Sequence, residues 1–346
     1  MRRNYDFLDI TKFVLSLMVV AIHANPLGEA AGELRFPFVR IAVPVFFLIS
    51  SFLLFEKVTA LDEAGKKRQT IWKFVKRNLQ LYFAWFVVLL PITIYVRGYF
   101  CAGIATSLKG IAVSFLFGST FQASWYIMAL VIGMLIVWGV SRFLGNGGAI
   151  VLGMITYSAC CMLSNYRNAL DPDSWLVLLA NVYPAEIYNS FPVALIWVSL
   201  GKWLAEHKAA VVKLPVRGLI VMACISAACL IAEHCLVRAM HWQGANDCYF
   251  MLIPVCVVVF LLALNVKADY PSAAKLRRFS TVTYCMHVGL TLVVGAVLRS
   301  VLGLEPATFV GGLIMYLLVL SGCTVATVLI SWLEKKPVFS FLRYLM

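Results

Sequence analysis

Residues 9–23 read Asp9-Ile-Thr-Lys12-Phe-Val-Leu-Ser-Leu-Met-Val-Val-Ala-Ile-His23. The run is mostly apolar, contains neither Gly nor Pro, and is followed by Asn25, Pro26 and Gly28, which stop helices. It therefore predicts one membrane-spanning helix. Lys12 and His23 are eleven residues apart, and at ~100° per residue eleven steps return to within about 20° of the start. The two side chains are expected on one face, separated by roughly 16 Å along the axis. A cation and an imidazole inside a span are costly to hold in hydrocarbon, which makes them functional candidates by default. Asp9 lies three residues before Lys12 and is placed to neutralise it.

Working outward, the same apolar texture recurs along the chain. Of 346 residues 62% are hydrophobic and only 13% are charged, against about a quarter charged in soluble domains. Ten spans are expected, near 7–24, 36–55, 79–96, 124–141, 148–165, 189–206, 216–234, 248–266, 280–299 and 308–332. The fold class expected is an all-α polytopic membrane protein, a single integral-membrane domain over residues 1–346. No repeat or linker interrupts it. Met1–Asp6 is basic, but the run after it carries Asp9 and Lys12 and lacks a small-residue cleavage site, so no cleaved signal peptide is expected.

The chain has 29 Lys and Arg and a formal net charge of +13. With the N-terminus placed in the cytoplasm, outer segments hold Arg35, Arg97, Lys109, Arg167, Arg238 and Arg299, while Lys12 and Arg40 lie inside spans. All the other cations fall on inner segments, as the positive-inside rule requires with both termini cytoplasmic. The charge is thus topological, and no nucleic-acid partner is expected. Two outer connections, 97–123 and 166–188, contain apolar pieces too short to cross and are expected to be interfacial or re-entrant. The ten Cys form no C-x-x-C pair and show no metal-ligand spacing, so no metal is expected. Cys235 and Cys248 flank a short loop and would be able to bridge were that loop extracytoplasmic.

Other residues stand out for their chemistry. His23, at the outer end of its span, suits general-base work because its pKa lies near neutrality. Lys73, Lys76 and Arg77 fall at i, i+3 and i+4 in the most basic inner segment and form one helical face that would suit phosphates. Val43-Pro44 precedes Ser50-Ser51 in the second span. Pro44 would free a carbonyl and bend the helix toward a cavity, and the paired serines would permit close packing or line a pore. Tyr284 and His287 share a face in the ninth span, and Trp125 and Tyr126 stand at an outer boundary.

Several of these residues, in this order, resemble the acyltransferase-3 superfamily of membrane acyltransferases. Leu8-Asp9 with Lys12 and His23 is similar to its first-helix pattern of a basic residue, ten residues and His. Phe46-Phe47 with Ser50-Ser51-Phe52, Trp125-Tyr126 through Ala129-Leu130, Tyr284 through His287, and Asn189 through Gly201 resemble later segments. Lys12 replaces the usual Arg, Ser51 replaces a Gly, and Arg77 is followed by Gln80 where a second Arg is usual. Residues 75–85 are also similar to the membrane half of the vancomycin-resistance serine racemases. The resemblance implies an O-acetyltransferase of the bacterial cytoplasmic membrane, moving an acetyl group from cytoplasmic acetyl-CoA to an extracytoplasmic glycan or small hydroxyl acceptor. No bound cofactor is implied; acetyl-CoA is the donor substrate. It implies catalytic roles for His23, Lys12 and Asp9, and donor binding by Lys73, Lys76 and Arg77. Ser50, Ser51, Trp125, Tyr284 and His287 are the pore or acceptor candidates. A transporter of a small polar solute such as serine is the alternative.

Overall fold

The computed structural model describes residues 5–28, 37–101, 103–121 and 123–346. The chain is all-α, with no strand among the described residues. Helix α1 (Asp6–Ala24) is followed by α2 (Ala42–Thr59), α3 (Ala64–Arg97), α4 (Ile104–Phe117), α5 (Trp125–Phe143) and α6 (Gly145–Leu163). Then come α7 (Trp175–Val182), α8 (Phe191–Glu206), the one-turn helix Lys208–Val211, and α9 (Val216–Ala239). Helices α10 (Leu252–Asn265), α11 (Ala273–Leu302) and α12 (Phe309–Leu333) follow, and a 3-10 helix, Pro337–Leu345, comes last.

Eight of the described helices are long and apolar enough to cross a membrane. They match eight of the ten expected spans and make this a multi-pass membrane protein. The other two expected spans are short helices: α8 has 16 residues and α10 has 14, about 24 Å and 21 Å. The reason is packing. Helix α8 lies against α2, α5 and α6, and Ala194, Ile196, Trp197 and Val198 are fully buried, so protein rather than lipid surrounds it. Elsewhere the apolar surface faces outward, as at Val87 and Val88 of α3, Val221 of α9, Val297 of α11 and Val325 and Val328 of α12. Such a surface suits hydrocarbon.

The basic inner segment, read as a helical face ahead of a span at 79–96, is continuous with that span as the first part of α3. That helix runs unbroken for 34 residues, about 51 Å, well beyond a ~30 Å hydrocarbon core. Its surplus turns carry Lys66 to Arg77. The reason is local: the segment has good helix formers, no Gly after Gly65 and no Pro before Pro91. In α2 the expected effect of Pro44 falls one turn earlier. The helical run from Pro37 is interrupted at Arg40 and Ile41, because Pro44 has no N–H for the Arg40 carbonyl. The expected short outer pieces are present as α4, with 14 residues, and α7, with eight.

Two groups of helices emerge. One is centred on α8. A Cβ on Gly153 of α6 would meet the Ile196 Cα at 2.6 Å, and one on Gly201 of α8 would meet the Ser51 Oγ at 1.9 Å. Glycine at these two places lets backbones approach as small residues do in membrane bundles. The other group is α1, α11 and α12, with Val20, Ala24, Leu298, Met315, Val319 and Cys323 in its own small core. Helix α1 stops at Asn25, whose φ of 47° is left-handed and whose N–H reaches the Ala21 carbonyl.

Candidate active site

Lys12 and His23 lie on the one unbroken helix α1, so their shared face follows from helix geometry. At the Lys12 end, Asp9 accepts from the Lys12 Nζ at 3.4 Å and faces the Arg277 Nε at 3.5 Å. Arg77 of α3 lies close enough for its charge to act on the Lys12 ammonium, as Arg277 does. Lys12 and Arg277 therefore share one carboxylate, with the Arg77 charge in reach of Lys12. The excess positive charge and the guanidinium forks suit an anion such as a phosphate.

The basic face of α3 does not converge as a unit. Lys73, Lys76 and Arg77 are all exposed. The Arg77 charge reaches Lys12, whereas Lys76 lines an open groove of about 440 Å³ with Trp72, Phe83 and Tyr344. Arg277 is a residue that sequence reasoning counted only as a topological cation. Its partner Asp9 lies at the opposite end of the chain, and no local pattern announces the pairing.

At the other end of α1, His23 is accessible, and its ring centroid is 5.1 Å from that of His287 on α11. His287 is fully buried. Its Nδ1 lies 3.0 Å from the Thr283 carbonyl and 2.8 Å from the Tyr284 carbonyl. Carbonyls only accept, so Nδ1 carries the proton and the Nε2 of the neutral ring holds a lone pair. That Nε2 is buried with no hydrogen-bond partner among the described residues. Helix α11 thus presents an unused acceptor beside His23.

An aromatic line continues from the two imidazoles. The Tyr284 ring lies 6.0 Å from His287 and 5.1 Å from Tyr126. The Tyr284 hydroxyl donates to the Ala123 carbonyl at 2.5 Å, across the boundary between the two helix groups. The Tyr126 hydroxyl is 3.4 Å from the Ser50 Oγ, and Phe47 packs against both Tyr126 and Trp125. His23, His287, Tyr284, Ser50 and Trp125 are therefore brought to one region. Tyr126 belongs with them; it was quoted in the sequence beside Trp125 but given no role. Ser51 does not join them. It donates to the Phe47 and Leu48 carbonyls and faces Gly201 of α8, so its pore role is corrected to packing. Consecutive helix residues point ~100° apart, and only one of the two serines can face the site.

Beside this line is a cavity of about 40 Å³, walled by Ile22, Arg40, Trp125, Tyr188, Asn189, Trp197 and Asp247 among others. Arg40 and Asp247 pair at 2.5 Å, and Arg40 is near enough to His23 for its charge to act on the imidazole. Burial raises the Asp247 carboxyl above the usual carboxylate range, against the Arg40 guanidinium, which lowers it. Burial and the nearby Glu186 and Asp247 push the Tyr188 phenol up to about 12. The loop bearing Asp247 is pinned. Ser164 accepts from the Asp247 N–H and Asn165 from the Cys248 N–H. Glu233 accepts the Phe250 and Met251 N–H groups at 2.7 Å each, just before α10, and the Tyr166 hydroxyl at 2.8 Å. Cys235 and Cys248 are both free thiols, one exposed and one buried.

Comparison with known proteins adds relatives. The chain is similar to an amino-acid racemase of Enterococcus faecalis, 24% identical over 271 residues, covering 76% of this chain and 36% of that protein. It is also similar to a serine/alanine racemase of Enterococcus gallinarum, 28% identical over 134 residues, covering 38% of this chain and 19% of that protein. The chain thus spans about a third or less of the length of these relatives. No solved structure matches it. The acyltransferase-domain family model matches residues 5–333. From α1 with its Lys12 and His23 to the end of α12, this multi-pass membrane chain belongs to the acyltransferase-domain family.

Proposed function

We propose that the protein is an O-acetyltransferase of the bacterial cytoplasmic membrane, with both termini inside, taking acetyl groups from cytoplasmic acetyl-CoA. The observation that carries this reading is the alignment on α1. Lys12 and Arg277, joined through Asp9 and with the Arg77 charge in reach, stand at one end and the His23–His287 pair at the other. About 16 Å of helix axis separates them, a span an extended pantetheine arm covers. In this reading the CoA phosphates rest on Arg77, Arg277 and Lys12, and the thioester reaches His23. Asp9 holds Lys12 and Arg277 in place.

His23 removes the proton from an acceptor hydroxyl as its oxygen attacks the thioester carbonyl. The new C–O ester bond forms, the C–S bond breaks, and the proton passes from His23 to the departing CoA thiolate. The lone pair on the His287 Nε2 would receive the second N–H of His23 and orient the ring, as the third member of a catalytic chain does. The acceptor is an extracytoplasmic glycan or a small hydroxyl compound. The test is acetyl transfer from labelled acetyl-CoA by purified protein in lipid nanodiscs. Turnover that is lost in His23→Ala supports the reading, and equal activity of the two proteins removes it.

A second reading, transport of a small polar solute such as serine, is favoured by one finding: the relatives are named as racemases of amino acids. Uptake into vesicles that persists in His23→Ala, with no acetyl transfer by wild type, would decide for it.

A further inference from the structure

Lys73 and Lys76 have no part in the pairing at the Lys12 end of α1. Both are exposed, and neither has a carboxylate partner among the described residues. No acidic residue occurs from Ala64 to Arg97, the whole of α3, or from Lys335 to Met346. Lys76 lines the groove of about 440 Å³, and the rest of the α3 wall is Trp72, Val75, Leu79, Gln80, Phe83 and Ala84. These positions are three and four apart, so the groove follows one face of the helix along its axis. From Trp72 to Ala84 it runs about 18 Å, close to the depth of one leaflet of a ~30 Å hydrocarbon core. Its polar groups, Lys76 and Gln80, precede the part walled by Phe83 and Ala84. The facing wall is Tyr344, in the terminal 3-10 helix. The buried Trp85 indole of α3 donates to the Leu345 carbonyl at 3.0 Å and fixes that helix in place. The Arg343 guanidinium lies over the Tyr344 ring, 5.1 Å from its centroid, and brings a further cation to this wall. Trp72 and Phe83 remain about half exposed, at 49% and 51%.

We propose that this groove binds one anionic phospholipid of the surrounding bilayer, its phosphate held by Lys76 and Lys73 and an acyl chain laid along Val75, Leu79 and Phe83. The polarity of the groove matches that of the ligand from headgroup to tail. Cations and a Trp ring stand at one end, as at a membrane boundary, and bare apolar wall follows. A soluble phosphate would use the lysines and leave the apolar length empty. A neutral lipid would use the length and leave the lysines without a counter-charge. The surplus turns of α3 explain the position, because they carry the helix and its cations past the hydrocarbon to the level of lipid phosphates. Arg77 follows Lys76 directly and points about 100° away, so a headgroup on Lys76 leaves the Lys12 end free. The site stands on charge and shape alone and is the same whether the protein transfers acetyl groups or carries a solute.

The test uses Trp72 as the reporter. The full chain is placed in phosphatidylcholine nanodiscs that contain a rising fraction of either phosphatidylglycerol or phosphatidylcholine with brominated acyl chains, which quench indole fluorescence on contact. The chain has nine Trp, so the Trp72 signal is the difference between wild type and Trp72→Phe. Half-quenching of Trp72 is expected at a mole fraction about fivefold lower for brominated phosphatidylglycerol than for brominated phosphatidylcholine. Lys76→Gln combined with Lys73→Gln should abolish that preference, and Lys76→Glu should invert it. Both lysines are exposed, so these changes leave the core intact. Lys67→Gln should keep the preference, because Lys67 is nine residues before Lys76 and lies on the opposite face of the same helix. Inorganic phosphate added at constant ionic strength should also leave it unchanged. The proposal is overturned if the two brominated lipids quench Trp72 alike, or if Trp72→Phe quenches as wild type does. It is equally overturned if Lys67→Gln lowers the preference as much as Lys76→Gln, which would make the attraction a diffuse property of the basic segment. Loss of the preference in phosphate would make this a site for a soluble anion and overturn it too.

Discussion

The helices around α8 and the trio α1, α11 and α12 solve the same packing problem differently. Around α8, Gly153 and Gly201 bring backbones so close that even a methyl group would collide. Trp197, Phe47, Phe52 and Tyr157 fill what remains. The trio has a core of six buried residues and presents Leu292, Val297, Leu317 and Val328 outward. Its contacts with the first group are polar in part, as where Tyr284 donates to the Ala123 carbonyl. The reactive residues divide along this line. His23 and His287 belong to the trio, while Ser50, Tyr126, Trp125 and Arg40 belong to the side of α8. A rigid block thus faces a lighter module, and the candidate site is their seam. Close packing holds side chains at fixed positions, and a seam is where substrates can enter without breaking a core.

The comparison can be broken first at His23. His23→Ala should lower acetyl transfer by about 10²- to 10⁴-fold, the range a positioned general base supplies, with the thermal midpoint unchanged because the side chain is accessible. Single-turnover assays in nanodiscs check this. A large loss of thermal stability instead would make His23 a structural residue of the trio. The second test is in the rigid block. Gly201→Val should destabilise by at least ~1–3 kcal/mol, the cost of overpacking a close contact, read as a lower midpoint in detergent; a matching change at Gly139, whose Cβ direction is open, should not.

A smaller effect is expected at the Lys12 end. Arg277→Gln should raise the KM for acetyl-CoA about three- to tenfold with kcat little changed, since its partly exposed guanidinium is screened. The same variant should respond less to dephospho-CoA donors if Arg277 touches that phosphate. A fall in kcat with unchanged KM would assign Arg277 to holding Asp9 alone. The smallest difference separates the neighbouring serines. Ser50→Ala removes a hydroxyl beside Tyr126 and should cost activity about severalfold. Ser51→Ala removes one bonded to its own helix carbonyls and should leave activity within about twofold.

Much of this was readable in the linear chain, because lipid imposes a strong rule: a crossing segment must satisfy its own backbone and show apolar side chains. That rule placed eight long helices, and helical periodicity placed Lys12 and His23 on one face. At α8 and α10 the helices are shorter than the spans expected, and protein covers much of both. The rule also began the third span at 79, although the helix runs from Ala64, since charge marks the end of the hydrocarbon and not the end of a helix. Arg40 carried a signal, a cation inside a span, but nothing in the sequence assigned it a role or named Asp247 as its partner.

By itself the sequence determined the class of fold, the course of helix α1 and the two ends of its polar face, for these depend on hydropathy and a fixed rise per residue. Only the tertiary structure decided which of Ser50 and Ser51 meets the site, that Arg277 joins Asp9, that the His287 Nε2 is left as an acceptor, and that Arg40, Asp247 and Trp197 share one cavity. Those facts join residues far apart in the chain. Their proximity is set by which helices pack together, and no local period encodes it.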